Sequence, residues 1–330
     1  MLAAEITNCR TIRLLEVPDP QLTAEQRESG LVVFEASLGC LCGSDLPFFD
    51  GDFEGHEIAY PQPVGMSLHE IIGHVVESGS SEWAAGTRVV AVPERQLGFF
   101  ERFVVSARRL IAVPDGLTDE QALMAQPFGT VLHALRKMPN LIGLNVVVLG
   151  QGPIGQMFNA GLRNLGAQRI IGVDPLQSRL ACSQEMGAHA TVCAEGIAAA
   201  AEVESLLEGG RPDIVIEAVG HRSQAVNAAI DLVRNNGTIL LFGVLPQHCD
   251  GVALRAAMWK NAKILTSIHP DFERTFPLAM NWIHEGRVDF QRLLTHRFSV
   301  HEVQQAFDVF RDRTDGAQKV LLDFRTGVEC

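Results

Sequence analysis

The apolar positions change period twice along the chain. Over the first third they fall in short runs separated by Gly, Pro or charged residues: 2–17 (two runs around Asn8), 31–38, 71–77, 87–92, 102–105 and 109–113. Short strands at that spacing predict a small β-barrel. The stretch 39–55, rich in Gly, Asp and Phe, reads as a loop. Thr118-Asp-Glu-Gln predicts a capping box and the start of a helical region. Strand and helix then alternate: strand 145–149, helix 153–165 closed by Gly166, strand 169–173, a helix closed by Gly187, strand 213–217, helix 223–234, and strands 238–243 and 263–267. That order predicts a doubly wound parallel sheet. The tail is mixed again, with a helix at 276–286, another opened by Ser299-Val-His-Glu, and a strand at 319–324. There is no internal repeat, and the Ala run at 198–201 reads as ordinary helix.

The most informative stretch is 145–155, Asn-Val-Val-Val-Leu-Gly-Gln-Gly-Pro-Ile-Gly. A β-branched run stops at Gly150, and Gly152 and Gly155 complete G-x-G-x-x-G where a strand turns into a helix. Gly150 allows the tight turn, Gly152 admits a pyrophosphate to the backbone, and Gly155 lets helix and strand pack closely. The helix N-terminus offers free N–H groups to phosphates. The next strand ends at Asp174, and an acidic residue about 20 positions after the glycines can accept hydrogen bonds from ribose hydroxyls. Strand, turn, helix, strand and Asp in that order predict a dinucleotide site.

Composition narrows the partners. The chain has 330 residues, 47% hydrophobic and 20% charged, enough for two domains. A net charge of −12 argues against nucleic acid or an anionic membrane as partner. No apolar stretch is long and uncharged enough to span a bilayer, and residues 1–19 alternate apolar and charged positions unlike a signal peptide. Seven Cys (Cys9, Cys40, Cys42, Cys182, Cys193, Cys249, Cys330) without disulfide-framework spacing suit a reducing cytosol, so a cytoplasmic location is expected.

Two further motifs carry chemistry: Gly39-Cys-Leu-Cys-Gly-Ser-Asp45 and Leu68-His-Glu-Ile-Ile-Gly-His-Val75. Singly, a Cys is most often a small buried hydrophobe, and a His a satisfied core residue. Together with the glycine-rich turn they resemble the zinc-dependent medium-chain alcohol dehydrogenase family, in its sorbitol-, threonine- and glucose-dehydrogenase-like branch. The resemblance runs from the first strands to Lys319-Val-Leu-Leu. It implies an α/β fold: a GroES-like, β-rich catalytic domain (1–126 and 268–330) interrupted by a Rossmann NAD-binding domain with a doubly wound parallel sheet (127–267).

It also implies roles. Cys42 matches the thiolate ligand of a single catalytic zinc, and His69 the imidazole ligand. Three protein ligands and one open position suit a catalytic zinc. Asp45 matches the carboxylate that orients the ligand His, and Ser44 the hydroxyl that bonds the substrate alcohol and passes on its proton. Glu70 matches an acid close to the metal, sometimes a ligand itself. The third ligand position falls at Gln126 in Ala125-Gln-Pro-Phe-Gly-Thr130, so Gln126 and Glu70 both stand as candidates. Thr130 lies where the family places a Thr against the nicotinamide, and Arg179 where it places a basic residue at the ribose. Pro153, Ile154, Gly243 and Val244 join the glycines as cofactor contacts.

The chain departs from the family pattern in four places. Gln126 offers a neutral amide, a poorer zinc ligand than carboxylate or thiolate. Pro47 stands in place of the usual relay His, so the proton must leave by water or by another group, for which Asp50 and His56 are candidates. Leu68 replaces a Gly before His69. No Cys lies between Gly86 and Ser106, so no structural zinc is expected. Cys40 reads as core, His74 as core or surface, and His133 as packing. Phe48, Phe49, Phe53 and Phe128 read equally as pocket walls or core.

The expectation is a zinc- and NAD-dependent oxidoreductase that reversibly converts a secondary alcohol or polyol-like substrate to a ketone, assembled as a homodimer or homotetramer. The alternatives are a zinc-free NAD(P)H reductase on the same fold, disfavoured by Cys42, His69 and Asp174, and a non-catalytic nucleotide-binding relative, kept open by Gln126 and Pro47.

Overall fold

The computed structural model describes residues 1–53, 56–220 and 223–325, the side chains of 53, 56 and 57 excepted. They form two compact units: 1–129 together with the segment from Phe272 onward, and Thr130–Asp271.

The first unit opens with the hairpin β1 (Leu2–Asn8) and β2 (Thr11–Glu16), turned by Arg10 at φ 57°. The short helix α1 (Ala24–Glu28), capped by Thr23, leads to β3 (Leu31–Cys40). The expected loop at 39–55 contains structure: β3 runs on to Cys40, and α2 (Leu46–Asp50) follows. Pro47 pre-sets the first turn of α2, and Gly51 at φ 77° closes it. The two-residue strands β4 (Asp52–Phe53) and β5 (His56–Glu57) precede β6 (Glu70–Ser78), β7 (Arg88–Ala91), β8 (Arg102–Ser106) and β9 (Leu110–Ala112). The capping box at Thr118 opens α3 (Asp119–Leu123), and α4 (Ala125–Leu135) follows directly.

The second unit alternates regularly. Its elements are β10 (Asn145–Leu149), α5 (Pro153–Asn164), β11 (Arg169–Val173), α6 (Gln177–Leu180), β12 (Ala190–Val192), α7 (Ala200–Leu206), β13 (Ile214–Glu217), α8 (Ser223–Leu232), β14 (Thr238–Leu241), α9 (Leu254–Trp259) and β15 (Lys263–Thr266). The helix expected up to Gly187 is short. After Leu180 the chain continues in turns to Gly187 at φ 106°, with the N–H of Ser183 bonded to the carbonyl of Leu180. All six strands pair in parallel in the order β12-β11-β10-β13-β14-β15. This is a doubly wound sheet whose order reverses beside β10. The run Val146–Leu149 is buried on both faces, as a central parallel strand requires.

The tail rejoins the first unit with α10 (Phe272–His284), β16 (Leu294–Ser299), α11 (Val303–Asp312) and β17 (Lys319–Asp323). The large sheet there runs β16-β17-β3-β6-β7-β9, with β8 also pairing β3. Phe34, Phe49, Phe99 and Phe307 fill its core. Phe49 packs on Phe307 in a tilted pair with ring centroids 4.8 Å apart, and fully buried Phe128 packs between Trp282 and Phe290. Phe49 and Phe128 are therefore core. Phe48 is half-buried against the same core, and the side chain of Phe53 lies outside the described residues. Among the described residues no helix is long and apolar enough to cross a membrane.

Candidate metal centre and nucleotide site

β3 delivers the first half of the metal motif. Cys40 and Leu41 point into the core and are fully buried, while Cys42 stays half-exposed on the turn into α2. Burial pushes the Cys40 thiol up, which suits a core residue. The turn is held by Asp45, whose carboxylate is fully buried. Its Oδ2 accepts the main-chain N–H of Cys42 at 2.8 Å and its Oδ1 the hydroxyl of Ser67 at 3.1 Å. The same Oδ1 lies 3.2 Å from Nδ1 of His69. One carboxylate thus locks the loop that carries the thiol and orients the imidazole.

His69 stands just before β6. Leu68 fits because Gly39 gives it room: a Cβ at Gly39 would meet Leu68 Cδ2 at 2.8 Å. Nε2 of His69 lies 3.3 Å from the hydroxyl of Ser44. Burial alone would lower the pKa of His69, but the Asp45 carboxylate and Cys42 raise it well above the ordinary value.

Glu70 follows as the first residue of β6, fully buried, with Cys40 of β3 directly across the ladder. Both its oxygens accept from Nζ of Lys319 on β17, at 2.6 and 2.5 Å, and Lys319 also donates to the carbonyl of Leu41 at 3.4 Å. Desolvation would lower the pKa of Lys319, but Glu70 outweighs it and raises it, keeping the ammonium charged.

Ligand atoms of Cys42, His69 and Glu70 all lie within 4.8 Å of one another, a grouping in which sulfur, nitrogen and oxygen donors could share one ion. A thiol, an imidazole and an oxygen donor are the set zinc takes. Nδ1 of His69 is buried without a well-aligned hydrogen bond, and it faces Asp45 rather than Ser44. The residues present therefore fit a zinc ion. Gln126 is buried in the first turn of α4.

Of the two relay candidates, Asp50 is engaged elsewhere. Its Oδ1 pairs with Arg10 at 3.0 Å and Arg311 at 2.5 Å. The side chain of His56 lies outside the described residues. His133 accepts the N–H of Asp271 at 3.3 Å, a packing role, and His74 is half-buried within β6.

In the second unit the glycine loop leaves β10 at the switch point of the sheet. Gly150 has φ 88°, which favours glycine. Gly155 sits so close to the carbonyl of Gly150 that an added Cβ would overlap it. Gly152 is different. Its backbone is extended at the N-cap of α5, and a Cβ there would meet only the guanidinium of Arg179, at 3.8 Å or more. Packing within the protein does not require Gly152 to be glycine, whereas a ligand approaching the backbone would. Pro153 and Ile154 form the first turn of α5.

Asp174 is buried at the end of β11. Its Oδ2 accepts the N–H of Gln151 at 2.8 Å and lies 3.4 Å from Arg179, while Oδ1 accepts the N–H of Leu176 at 2.9 Å. Gly150, Gly152, Gly155, Asp174 and Arg179 are thus brought together. Gly243 and Val244 follow β14 and pack on Gly220, where a Cβ would meet the carbonyl of Val244 at 2.9 Å. Close packing of two loops is reason enough for those glycines. Thr130 lies in α4, within the second unit.

Comparison with known proteins gives the lineage. A family model for zinc-binding dehydrogenases matches residues 153–285. The chain is 25% identical to sorbitol dehydrogenase of Bombyx mori, over 97% of each chain. It is 32% identical to an alcohol dehydrogenase of Cupriavidus necator, over 64% of this chain and 58% of that one. These matches support the zinc-dependent medium-chain alcohol dehydrogenase family. Among solved structures, galactitol-1-phosphate dehydrogenase of Escherichia coli superposes with a TM-score of 0.84 at 23% identity, covering 98% of this chain and 100% of that one. This likeness is one of fold: a GroES-like domain with a Rossmann domain.

Sequence reasoning missed Lys319, Ser67 and a buried polar cluster on α5. Lys319 and Glu70 each carried a signal, because each directly precedes an apolar run (320–322 and 71–72) and the two charges are opposite. A charge in that position needs a partner.

Proposed function

We propose that this chain is a zinc- and NAD-dependent dehydrogenase acting on a secondary alcohol or polyol-like hydroxyl. The observation that carries the reading is the close grouping of Cys42, His69 and Glu70 over the buried Asp45. Cys42 and His69 would hold one zinc per chain. Glu70 lies in this grouping but already accepts from Lys319, so Gln126 and Glu70 compete for the third position, and the variants below decide between them. A zinc held there would supply Lewis acidity that lowers the pKa of a substrate hydroxyl, and a bound NAD would supply the hydride acceptor.

The protein's own groups do the rest. Asp45 fixes the ring of His69 and the turn of Cys42, so the donors need no reorganisation. Ser44, beside His69, takes the hydroxyl proton at Oγ and passes it outward. With Pro47 in the usual relay position and Asp50 held by two arginines, water carries that proton on. The free N–H groups at the start of α5 bind the pyrophosphate, with Gly152 admitting it. Asp174 and Arg179 take the adenosine ribose, Gly243 and Val244 border the cofactor, and Thr130 supports the nicotinamide. Asp174 would repel the 2′-phosphate of NADP, which favours NAD. The family relatives named sorbitol dehydrogenase and alcohol dehydrogenase support the substrate class.

The test is an alcohol and polyol panel followed at the NADH absorbance, on protein with measured zinc content, stripped and reconstituted. Zinc-dependent NADH formation with at least one secondary alcohol is expected. NADPH-dependent enone reduction by zinc-free protein would overturn the reading. For the third ligand, Gln126→Glu should keep or tighten zinc and shift the pH–rate profile for oxidation alkaline, because the site gains a negative charge. A large loss of melting temperature with unchanged zinc affinity would instead assign the position to Glu70.

We also propose a homodimer or homotetramer. β15 is an edge strand, and nearby Met258, Trp259 and Ile268 are 76, 80 and 62% exposed. An open edge beside large apolar side chains favours pairing with a second copy. The cysteines of the described residues are free, which suits a cytoplasmic location. Light scattering at micromolar concentration that gave a monomer would refute the assembly.

A further inference from the structure

Helix α5 turns two amide side chains inward. Gln156 and Asn159 are both fully buried, on the face that packs against the sheet and the turn after β11. They meet Gln151 and Ser183, also fully buried, in one hydrogen-bonded cluster. Oε1 of Gln151 accepts from Nδ2 of Asn159 at 2.7 Å and from the hydroxyl of Ser183 at 2.9 Å. Nε2 of Gln151 donates to the carbonyls of Val148 and Gly150 at 3.1 and 3.3 Å. Nε2 of Gln156 donates to Ser183 Oγ at 2.9 Å and to the carbonyl of Arg179 at 2.8 Å. Even the sheet is shaped for it. Gly172 is a glycine in the middle of buried β11, and a Cβ there would meet Oε1 of Gln151 at 2.5 Å.

A fully buried polar cluster is costly unless satisfied, and an apolar core of the same shape would serve stability as well. What apolar side chains could not do is hold the Arg179 carbonyl at the ribose end of the nucleotide site and fix the Gln151 turn beside it. The main chain of Gln151 holds Asp174 through its N–H, while the side chain of Gln156 holds Arg179 through its carbonyl. We infer that Gln151, Gln156 and Ser183 are positioning residues that set the Asp174–Arg179 pair, and so decide how tightly and how selectively the adenosine end of the dinucleotide is held. The inference rests on the dinucleotide reading above.

The test titrates NADH and NADPH into intact protein and two variants. Gln156→Met/Ser183→Ala removes the grip on Arg179 with apolar side chains. Gln151→Ala/Gly172→Ala empties the centre of the cluster and returns a methyl group to the vacated space. Ser183→Ala, the smallest truncation, answers if the double variants do not fold. The expected result is a Kd for NADH raised about tenfold, corresponding to about 1.4 kcal/mol, with a smaller rise for NADPH. The NADH preference then falls, and KM for NAD rises while kcat at saturation stays level. A lowered melting temperature with both Kd values unchanged would make the cluster purely structural and overturn the inference. An unmodified chain that binds neither dinucleotide would overturn the nucleotide reading itself, a separable outcome.

Discussion

Nζ of Lys319 lies 2.6 Å from one oxygen of Glu70 and 2.5 Å from the other, and both side chains are buried. The pair joins β6 to β17 directly behind the Cys42 turn, where Lys319 also reaches the carbonyl of Leu41. Two charges withdrawn from water gain little net stability together, but removing one leaves the other uncompensated. Lys319→Met should therefore cost about 3–5 kcal/mol, and Glu70→Gln/Lys319→Met should regain most of it. Urea unfolding of the two singles and the double closes the cycle. Glu70→Gln should keep its zinc if Gln126 is the third ligand; loss of zinc from that variant would show the carboxylate to be a ligand despite Lys319.

Asp45 is expected to matter more for the metal than for the fold. Its oxygens face three donors: the N–H of Cys42, the hydroxyl of Ser67 and Nδ1 of His69. Asparagine has the same shape but would turn an NH₂ group against at least one of them. Asp45→Asn should weaken zinc about 10–100-fold, as outer partners of ligand histidines generally do. Ser67→Ala, which removes one donor, should have a smaller effect. Chelator competition measures both; equal zinc affinity in Asp45→Asn and the unmodified chain would remove Asp45 from the site.

The order of strands and helices was legible because each unit follows one period, alternation or short runs first and strand–helix units afterwards. β16 escaped notice. Its half-buried positions alternate with exposed ones, but His296 is one of the half-buried ones and Arg297 intervenes, so the apolar signal of Leu294-Thr-His-Arg-Phe-Ser is thin. The grouping of Cys42, Asp45 and His69 was legible because the motif is local. Lys319 was not, since 249 residues separate it from Glu70 and only the sheet register brings them together. Gln156 and Asn159 mislead for a different reason: amides on a helix read as solvent-facing until a partner on another element is known.

Asp323 gives the chain an acid-sensitive tie between β16, β17 and the tail. Burial would raise its pKa, but Arg325 and Arg297 bring it down to about 2. Arg297 also bonds Glu120 at 2.8 Å. A depressed carboxylate contributes stability that is present above its unfolded pKa, near 4, and is lost as the pH falls through the folded value. Asp323→Asn should therefore lower the urea midpoint at pH 7. The gap to the unmodified chain should narrow between about pH 4 and pH 2. A gap that stayed constant down to pH 3 would show that the ion cluster contributes nothing through charge.

The last two glycines of the motif, Gly152 and Gly155, separate folding from binding. At Gly155 a methyl group would overlap the carbonyl of Gly150, so helix α5 would have to move off β10. Gly155→Ala should lose stability by about 1–3 kcal/mol, the usual cost of overpacking. At Gly152 the backbone is extended and the nearest atom to an added Cβ is the movable guanidinium of Arg179, at 3.8 Å. Gly152→Ala should melt close to the unmodified chain. It should nonetheless lose NADH affinity at least about tenfold, because the methyl group stands where the pyrophosphate must approach the helix N-terminus. Melting curves with and without NADH read both effects in one experiment. The Gly155→Ala curve should shift down but still rise on adding NADH, since its phosphate-facing N–H groups remain. The Gly152→Ala curve should start high and fail to move. If NADH raised the Gly152→Ala melting temperature as much as it does that of the unmodified chain, the pyrophosphate would not lie on this turn, and the nucleotide site would have to be sought elsewhere on the sheet.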